Sequence, residues 1–146
     1  MQVKDIMTTN IATLTPENTI MDAAREMQKH NIGCMPVCQP EGKIVGIITD
    51  RDIVVRCIAS NGNPKSTLVK DVMTKNVITA KPDMDADDAL ETMATNKIRR
   101  LPVIQNDTLI GMIAIGDFAT RKVFHSEASQ ALGEISEPSR PANMMQ

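Results

Sequence analysis

Thr49 and Asp52 are the residues whose types and spacing best suit the binding of a small polar ligand. They follow an apolar run (residues 44–48) that predicts a strand, and they open a stretch that predicts a helix. A hydroxyl, a carboxylate and the free N–H groups of a helix start therefore meet at one point. A carboxylate can accept both hydroxyls of a ribose, and a hydroxyl can donate to a phosphate oxygen. The same spacing is also typical of a capping box, which stabilises a helix by roughly 1 kcal/mol, and Asp52 can serve both purposes.

Arg99 and Arg100 form the second candidate feature. They stand at a predicted connection between a helix and a strand, where long side chains can extend into a neighbouring cleft. Arginine suits phosphate because its planar fork of N–H donors can bind two oxygens at once. The alternatives are a solvated surface pair, or ion pairs with the acidic residues Asp83, Asp85, Asp87 and Asp88.

No constellation of residues is typical of an enzyme. His30 and His125 stand apart from any nucleophile or carboxylate, and the chain has no Walker A loop, dinucleotide-binding glycine motif or zinc-binding histidine motif. Cys34 and Cys38 have no nearby histidine cluster, which favours ordinary thiols over a metal site. The sequence therefore predicts neither catalysis nor metal binding, and no cofactor.

Composition and charge limit the classes of partner that the protein is expected to bind. The 146 residues carry a formal net charge of −2, which gives no electrostatic reason to expect nucleic acid or an anionic membrane. With two Phe and no Trp or Tyr, base stacking on aromatic side chains has almost no platform. The odd number of cysteines argues against disulfides, no signal peptide is visible, and no apolar run is long enough to span a bilayer. We expect a cytoplasmic protein without nucleic-acid or membrane partners.

The elements that position these residues occur twice, because the sequence is a tandem repeat. Residues 3–37 match residues 69–103 without a gap at an offset of 66, with 14 identities in 35 positions. After a one-residue deletion in a turn, Gly46 corresponds to Gly111 and Asp52 to Asp117. Each copy predicts a short extended segment (residues 11–14 or 77–80), a helix, a strand that begins near Pro36 or Pro102, a turn, a second strand and a second helix.

This order predicts an α+β fold of two βαββα-type units related by a pseudo-twofold axis, because one unit cannot bury its own sheet and helices. The units are residues 1–60 and 69–124, joined by a turn-rich linker at 61–68. Residues 125–146 predict a short amphipathic helix (126–135) and a disordered tail. The second helix of the first unit is expected to bury an apolar stripe of Ile53, Val54, Cys57 and Ile58.

The repeat resembles a tandem CBS-domain pair, also called a Bateman module. The resemblance covers about residues 1 to 124 and rests on the Val-Lys-Asp-Ile/Val-Met-Thr opening of both copies, the Arg-Arg-Leu-Pro-Val segment, and residues 46–53 and 111–118. It implies a regulatory module, similar to stand-alone bacterial CBS-pair proteins, that binds an adenine nucleotide (AMP, ADP or ATP) or an S-adenosylmethionine-like ligand between the copies. It also implies an unidentified protein partner and a homodimer, with Val55, Phe118 and Val123 as contact positions unless the core of the chain uses them.

The resemblance also implies roles for the candidate residues. Asp52 would bind the ribose hydroxyls and Thr49 the phosphate, while Arg99 and Arg100 would reach the phosphate from the other copy. Purine contacts are expected from backbone and small side chains that are equally expected in a plain core, around Ile11, Ala12, Ile32, Gly33 and Cys34.

The two copies differ at the phosphate-binding positions. The second copy has Ala114 in place of Thr49, and the first copy has Gly33-Cys34 in place of Arg99-Arg100. The site built on Asp117 therefore keeps a ribose acceptor and loses most of its phosphate contacts. We predict one competent site and one degenerate site. The alternative is a structural or protein-interaction module whose vestigial cleft binds no nucleotide.

Overall fold

Each copy of the repeat folds as a helix, an antiparallel two-stranded hairpin and a second helix. The computed structural model describes residues 1–121 and 124–138. The first copy contains α1 (Ile20–His30), β1 (Cys34–Cys38), β2 (Ile44–Thr49) and α2 (Asp50–Asp52), which continues as a π-helical segment (Ile53–Ile58). The second contains α3 (Ala86–Asn96), β3 (Arg100–Gln105), β4 (Thr108–Ala114) and α4 (Ile115–Ala119), and α5 (His125–Ser136) follows it. The predicted α+β tandem repeat is confirmed.

A complete capping box begins α1. The Thr19 hydroxyl accepts the Asp22 N–H at 3.1 Å, and the Asp22 carboxylate accepts the Thr19 N–H at 3.0 Å. These hydrogen bonds to Thr19 hold the pKa of Asp22 below its usual value, because they favour the charged carboxylate. The helix buries Ile20, Ala23 and Met27 on one face, so α1 is positioned both by its start and by its apolar stripe.

Proline explains why the extended segments before α1 and α3 do not become full strands. The Leu14 N–H donates to the Pro36 carbonyl at 3.0 Å, and the Leu14 carbonyl accepts from the Cys38 N–H at 2.7 Å, which makes one parallel bridge. Ala80 forms the equivalent bridge in the second copy. The next bridge would need an N–H on Pro36 or Pro102, and proline has none. These prolines occupy the third position of β1 and β3 rather than the predicted first.

The opening segment of each copy (residues 3–8 in the first and 69–74 in the second) packs into the core of the other copy. Val3 is buried among residues of α3, β3 and β4, and its N–H donates to the Met84 carbonyl at 2.9 Å. Val69 is buried among residues of α1, β1 and β2, and its N–H donates to the Asn18 carbonyl at 2.8 Å. Each of the two cores therefore contains residues from both copies.

The repeated glycines of the second strands make this exchange possible. A Cβ added to Gly46 would overlap the side chain of Met73 and lie 3.0 Å from the Thr74 carbonyl oxygen. A Cβ on Gly111 would meet Met7 in the same way, at 2.6 Å from its Sδ atom. A side chain at either glycine would force the methionine side chain and the opening segment of the other copy to shift.

One expectation about apolar positions was wrong, and for a second position the core alternative that the sequence left open is the one realised. Ile53 and Cys57 are buried, but Val54 and Ile58 are 58% and 51% exposed, because the segment is π-helical and does not follow the 3.6-residue period assumed for the stripe. Phe118 is fully buried and stacks edge to face on Phe124 with ring centroids 5.2 Å apart, so it belongs to the core rather than to a dimer face.

The C-terminal part of the chain joins the second core. The predicted helix at 126–135 corresponds to α5, whose Ala128 and Ala131 are buried with Phe124 in that core. Val123 and the predicted tail at 139–146 lie outside the described residues. No helix in the described part of the chain is long and apolar enough to cross a membrane.

Candidate functional site

Two clefts of very different size lie at the ends of β2 and β4, each lined by residues of both copies. The large cleft has a volume of about 1050 Å³, and its lining includes Gly33, Cys34, Thr49, Asp50, Arg51, Asp52, Asn76, Val77, Ile78, Lys97, Ile98, Arg99 and Arg100. The small cleft has a volume of about 240 Å³, and its lining includes Asn10, Ile11, Ala12, Ile32, Cys34, Arg100, Ala114 and Asp117. Ligand pockets typically occupy about 300–1,000 Å³, so the large cleft has the size of a nucleotide site.

The exchange of opening segments determines which residues share a cleft. Thr74 and Ile47 exchange two backbone hydrogen bonds of 2.8 and 3.0 Å, which holds residues 74–78 of the second copy beside the end of β2. Thr8 and Met112 exchange bonds of 2.8 and 2.9 Å, which holds residues 8–12 of the first copy beside the end of β4. Each cleft thus joins the strand end of one copy to the extended segment of the other.

Thr49 and Asp52 form a capping box at the floor of the large cleft. The Thr49 hydroxyl accepts the Asp52 N–H at 3.1 Å, and Asp52 Oδ2 accepts the Thr49 N–H at 3.0 Å. The other carboxylate oxygen, Oδ1, lies 3.7 Å from the Nε of the exposed Arg56 side chain. A carboxylate has about four acceptor positions and a hydroxyl keeps its own proton, so both residues retain hydrogen-bonding capacity toward the cleft.

Arg99 and Arg100 extend into the large cleft from the start of β3, and both are exposed. Within the described ranges neither arginine lies within 4.0 Å of a carboxylate oxygen, so the alternative of ion pairs with Asp83, Asp85, Asp87 or Asp88 is not realised.

Cys34 lies where these charges meet. Burial raises the pKa of its thiol above the usual value; the positive charge of Arg100 opposes this rise, and the negative charges of Asp52 and Asp50 add to it. Gly33 precedes it, and a Cβ added there would lie 2.6 Å from Asp50 Oδ2, so a side chain at this position would displace the exposed Asp50 carboxylate. The Gly33 carbonyl accepts the Asp50 N–H at 2.9 Å, which fixes the start of α2 against β1.

The small cleft has only half of the capping box. The Ala114 N–H donates to Asp117 Oδ2 at 2.8 Å, but Ala114 has no hydroxyl to accept the Asp117 N–H. Ile11, Ala12 and Ile32 line this cleft, whereas the sequence had placed them beside Thr49. That placement is corrected by the exchange of opening segments, which carries residues 8–12 across to the end of β4.

The large-cleft residues missed by sequence reasoning are the repeat equivalents of these three. At the offset of 66 they are Val77, Ile78 and Ile98, all of which line the large cleft, together with Asn76 and Lys97. The repeat offset relates them to the predicted purine contacts, but it does not indicate which of the two sets lies beside Thr49. Ile135 of α5 also lines this cleft, and no sequence signal indicated it.

The prolines leave one acceptor free in each cleft. In the part of the chain that the structure describes, no backbone N–H donates to the carbonyl oxygen of Ile78 or of Ala12, because Pro102 and Pro36 occupy the positions that would supply it. Ile78 lines the large cleft and Ala12 the small one. Among residues 1–121 and 124–138, no group of three His, Cys, Asp or Glu side chains is placed to hold a metal ion.

Comparison with known proteins identifies the family. The family model described as "CBS domain" matches twice, at residues 3–58 and 69–123. The CBS domain-containing protein YhcV of Bacillus subtilis is 41% identical over 134 residues, which cover 92% of this chain and 94% of YhcV.

Solved structures agree with this match. The CBS domain pair of protein MJ0100, in complex with 5-methylthioadenosine and S-adenosyl-L-methionine, superposes with a TM-score of 0.73 at 33% identity, covering 82% of this chain and 98% of that one. A hexameric CBS-CP12 protein from bloom-forming cyanobacteria superposes with a TM-score of 0.74 at 30% identity, covering 86% of this chain and 70% of that one. The chain belongs to the CBS-domain family, as a tandem pair of CBS domains.

Proposed function

We propose that this chain is a regulatory module that binds an adenosine-containing ligand, such as AMP, ADP, ATP or S-adenosylmethionine, in the large cleft. The observation that carries the proposal is the gathering of Thr49, Asp52, Arg99 and Arg100, from two different copies, around one cleft of about 1050 Å³. The small cleft, which has Asp117 but no equivalent of Thr49 or Arg99 and a volume of about 240 Å³, is the degenerate site.

The charges of the large cleft favour an anionic ligand. Its lining contains four basic side chains and two acidic ones, and the basic ones are Arg51, Lys97, Arg99 and Arg100. Asp52 keeps free acceptor positions for ribose hydroxyls, and Thr49 keeps a proton to donate to phosphate. The arginines supply paired donors to phosphate oxygens.

The opposite wall suits an adenine base. Val77, Ile78 and Ile98 offer apolar contacts, and the free Ile78 carbonyl can accept a hydrogen bond from an exocyclic amino group. These residues take the place of Ile11, Ala12 and Ile32 in the proposal. The adenosine-containing ligands of the MJ0100 domain pair support this ligand class.

Calorimetric titration with AMP, ADP, ATP and S-adenosylmethionine tests the proposal. We expect saturable binding of at least one of them, loss of binding in Asp52→Ala and weaker binding in Arg99→Ala, which lacks a cation of the large cleft. The matched control is Arg25→Ala, on the α1 surface away from both clefts. If none of the four ligands binds at millimolar concentration, the proposal is refuted.

The second candidate function is a protein-interaction module, which an exposed apolar ridge favours. Val54, Val55 and Ile58 are 58%, 47% and 51% exposed on the π-helical segment. We propose that this ridge is the contact face of a homodimer. An unidentified partner protein would then distinguish the ligand-bound form from the ligand-free form. Light scattering is expected to give twice the chain mass for the wild type and the single-chain mass for Val54→Lys. A monomeric wild type would refute the dimer.

Catalysis and nucleic-acid binding have no role in this proposal. The His30 imidazole lies 3.2 Å from the exposed carboxylate of Glu26, on the surface of α1. The ligand would act by its difference in affinity for two arrangements of the copies. A cytoplasmic location remains our prediction.

A further inference from the structure

Arg100 lines both clefts, whereas Arg99 lines only the large one. The backbone of Arg100 pairs with Ala114 at the end of β4, so the residue starts beside the small cleft and also extends into the large one. The large cleft has three other basic side chains in its lining. In the lining of the small cleft, all of it within the described ranges, Arg100 is the single basic side chain.

Cys34 shows that the two clefts adjoin. It also lines both, it is half-buried, and it pairs with Thr49 in the register of the first hairpin as Arg100 pairs with Ala114 in the second. The charges of both Arg100 and Asp52 act on its thiol. Arg100 therefore lies where the two clefts meet.

Building on the nucleotide site proposed above, we propose that the two clefts share the charge of Arg100, so that the chain holds one phosphate-bearing ligand at a time. The phosphate goes to the large cleft, where Arg99 and Lys97 add to Arg100. A guanidinium that donates to this phosphate is no longer available to a second anion in the small cleft.

The small cleft is then a site for an uncharged nucleoside or nucleobase. The Asp117 carboxylate and the free Ala12 carbonyl accept hydrogen bonds from hydroxyl and amino groups, and the carboxylate repels an anion.

Stoichiometry tests this proposal with two probes, AMP and adenosine. For the wild type we expect one AMP per chain, with any second AMP at least about tenfold weaker, within the range of coupled sites. We expect two adenosines per chain, and one in Asp117→Ala. When the protein is saturated with ATP, adenosine should still bind and AMP should not; this measurement needs no variant.

A substitution that adds a second cation beside the small cleft should allow the chain to bind a second AMP. Cys34→Arg supplies a basic side chain at the position equivalent to Arg100, and we expect it to bind two AMP per chain. Cys34→Gln, which is uncharged and of similar length, should still bind one. Circular dichroism and thermal unfolding establish that both variants fold.

The outcomes separate this proposal from the nucleotide site itself. Two AMP of equal affinity in the wild type, only one adenosine, or a folded Cys34→Arg that still binds one AMP would overturn the sharing of Arg100 and leave the large-cleft site intact. Absence of binding by AMP, ATP and adenosine would overturn both.

Discussion

Replacing Ala114 with threonine should stabilise the protein, because it completes a capping box that is already half built. The Ala114 N–H donates to Asp117 Oδ2 at 2.8 Å, while the Asp117 N–H lacks the hydroxyl that Thr49 supplies to Asp52 at 3.1 Å. The backbone is ready for the change: φ and ψ are −125° and 156° at Ala114, against −117° and 162° at Thr49. Ala114 also faces the small cleft, which has room for the larger side chain.

The expected gain is the free energy of one N-cap hydrogen bond, about 1 kcal/mol. For a chain of this size that raises Tm by about 2–4 °C. The assay is thermal unfolding without ligand, with Ala114→Val as the control that has the same shape and no hydroxyl. Thr49→Val should lose a similar amount. A Tm for Ala114→Thr that is no higher than that of Ala114→Val would refute the capping argument.

Two further predictions concern packing and cysteine chemistry. Gly46→Ala should lower the free energy of unfolding by about 1–3 kcal/mol in denaturant unfolding, because the added Cβ overlaps Met73. The control is Gly133→Ala in α5, which should be neutral or stabilising because nothing lies within 4 Å of its Cβ. Equal effects of the two substitutions would contradict the exchange of opening segments. Burial raises the pKa of the Cys34 thiol above its usual value, so mass spectrometry should find it labelled by iodoacetamide more slowly than glutathione at pH 7.5. Labelling as fast as that of glutathione would contradict its burial.

Local sequence patterns were enough to predict the elements that begin at the caps. The box of Thr49 and Asp52 lies within four consecutive residues, so spacing alone indicated its helix start, and the repeat gave the order of helices and strands. The π-helical segment escaped prediction because the apolar pattern at Ile53 and Cys57 was interpreted with the period of an α-helix.

Which residues share a cleft could not be read from spacing. Ile11 and Ile32 line the small cleft because Thr8 pairs with Met112, more than one hundred residues away in the sequence. Nothing in the local pattern of Thr8 indicates whether its segment stays with its own copy or crosses to the other. Val77 and Ile98 are the repeat equivalents of Ile11 and Ile32 and are likewise apolar, but only the long-range pairing assigns them to the large cleft.

The most direct test of the account compares ATP binding to Asp52→Asn and Asp117→Asn by calorimetry. Both variants keep a side-chain oxygen for the helix cap and remove one carboxylate charge, each from a different cleft. A hydrogen bond to a charged group contributes about 1.5–3 kcal/mol, so Asp52→Asn should weaken ATP binding at least about tenfold. Asp117→Asn should bind ATP no more weakly than the wild type. Equal loss in both variants, or loss in Asp117→Asn alone, would contradict the assignment of the nucleotide to the large cleft.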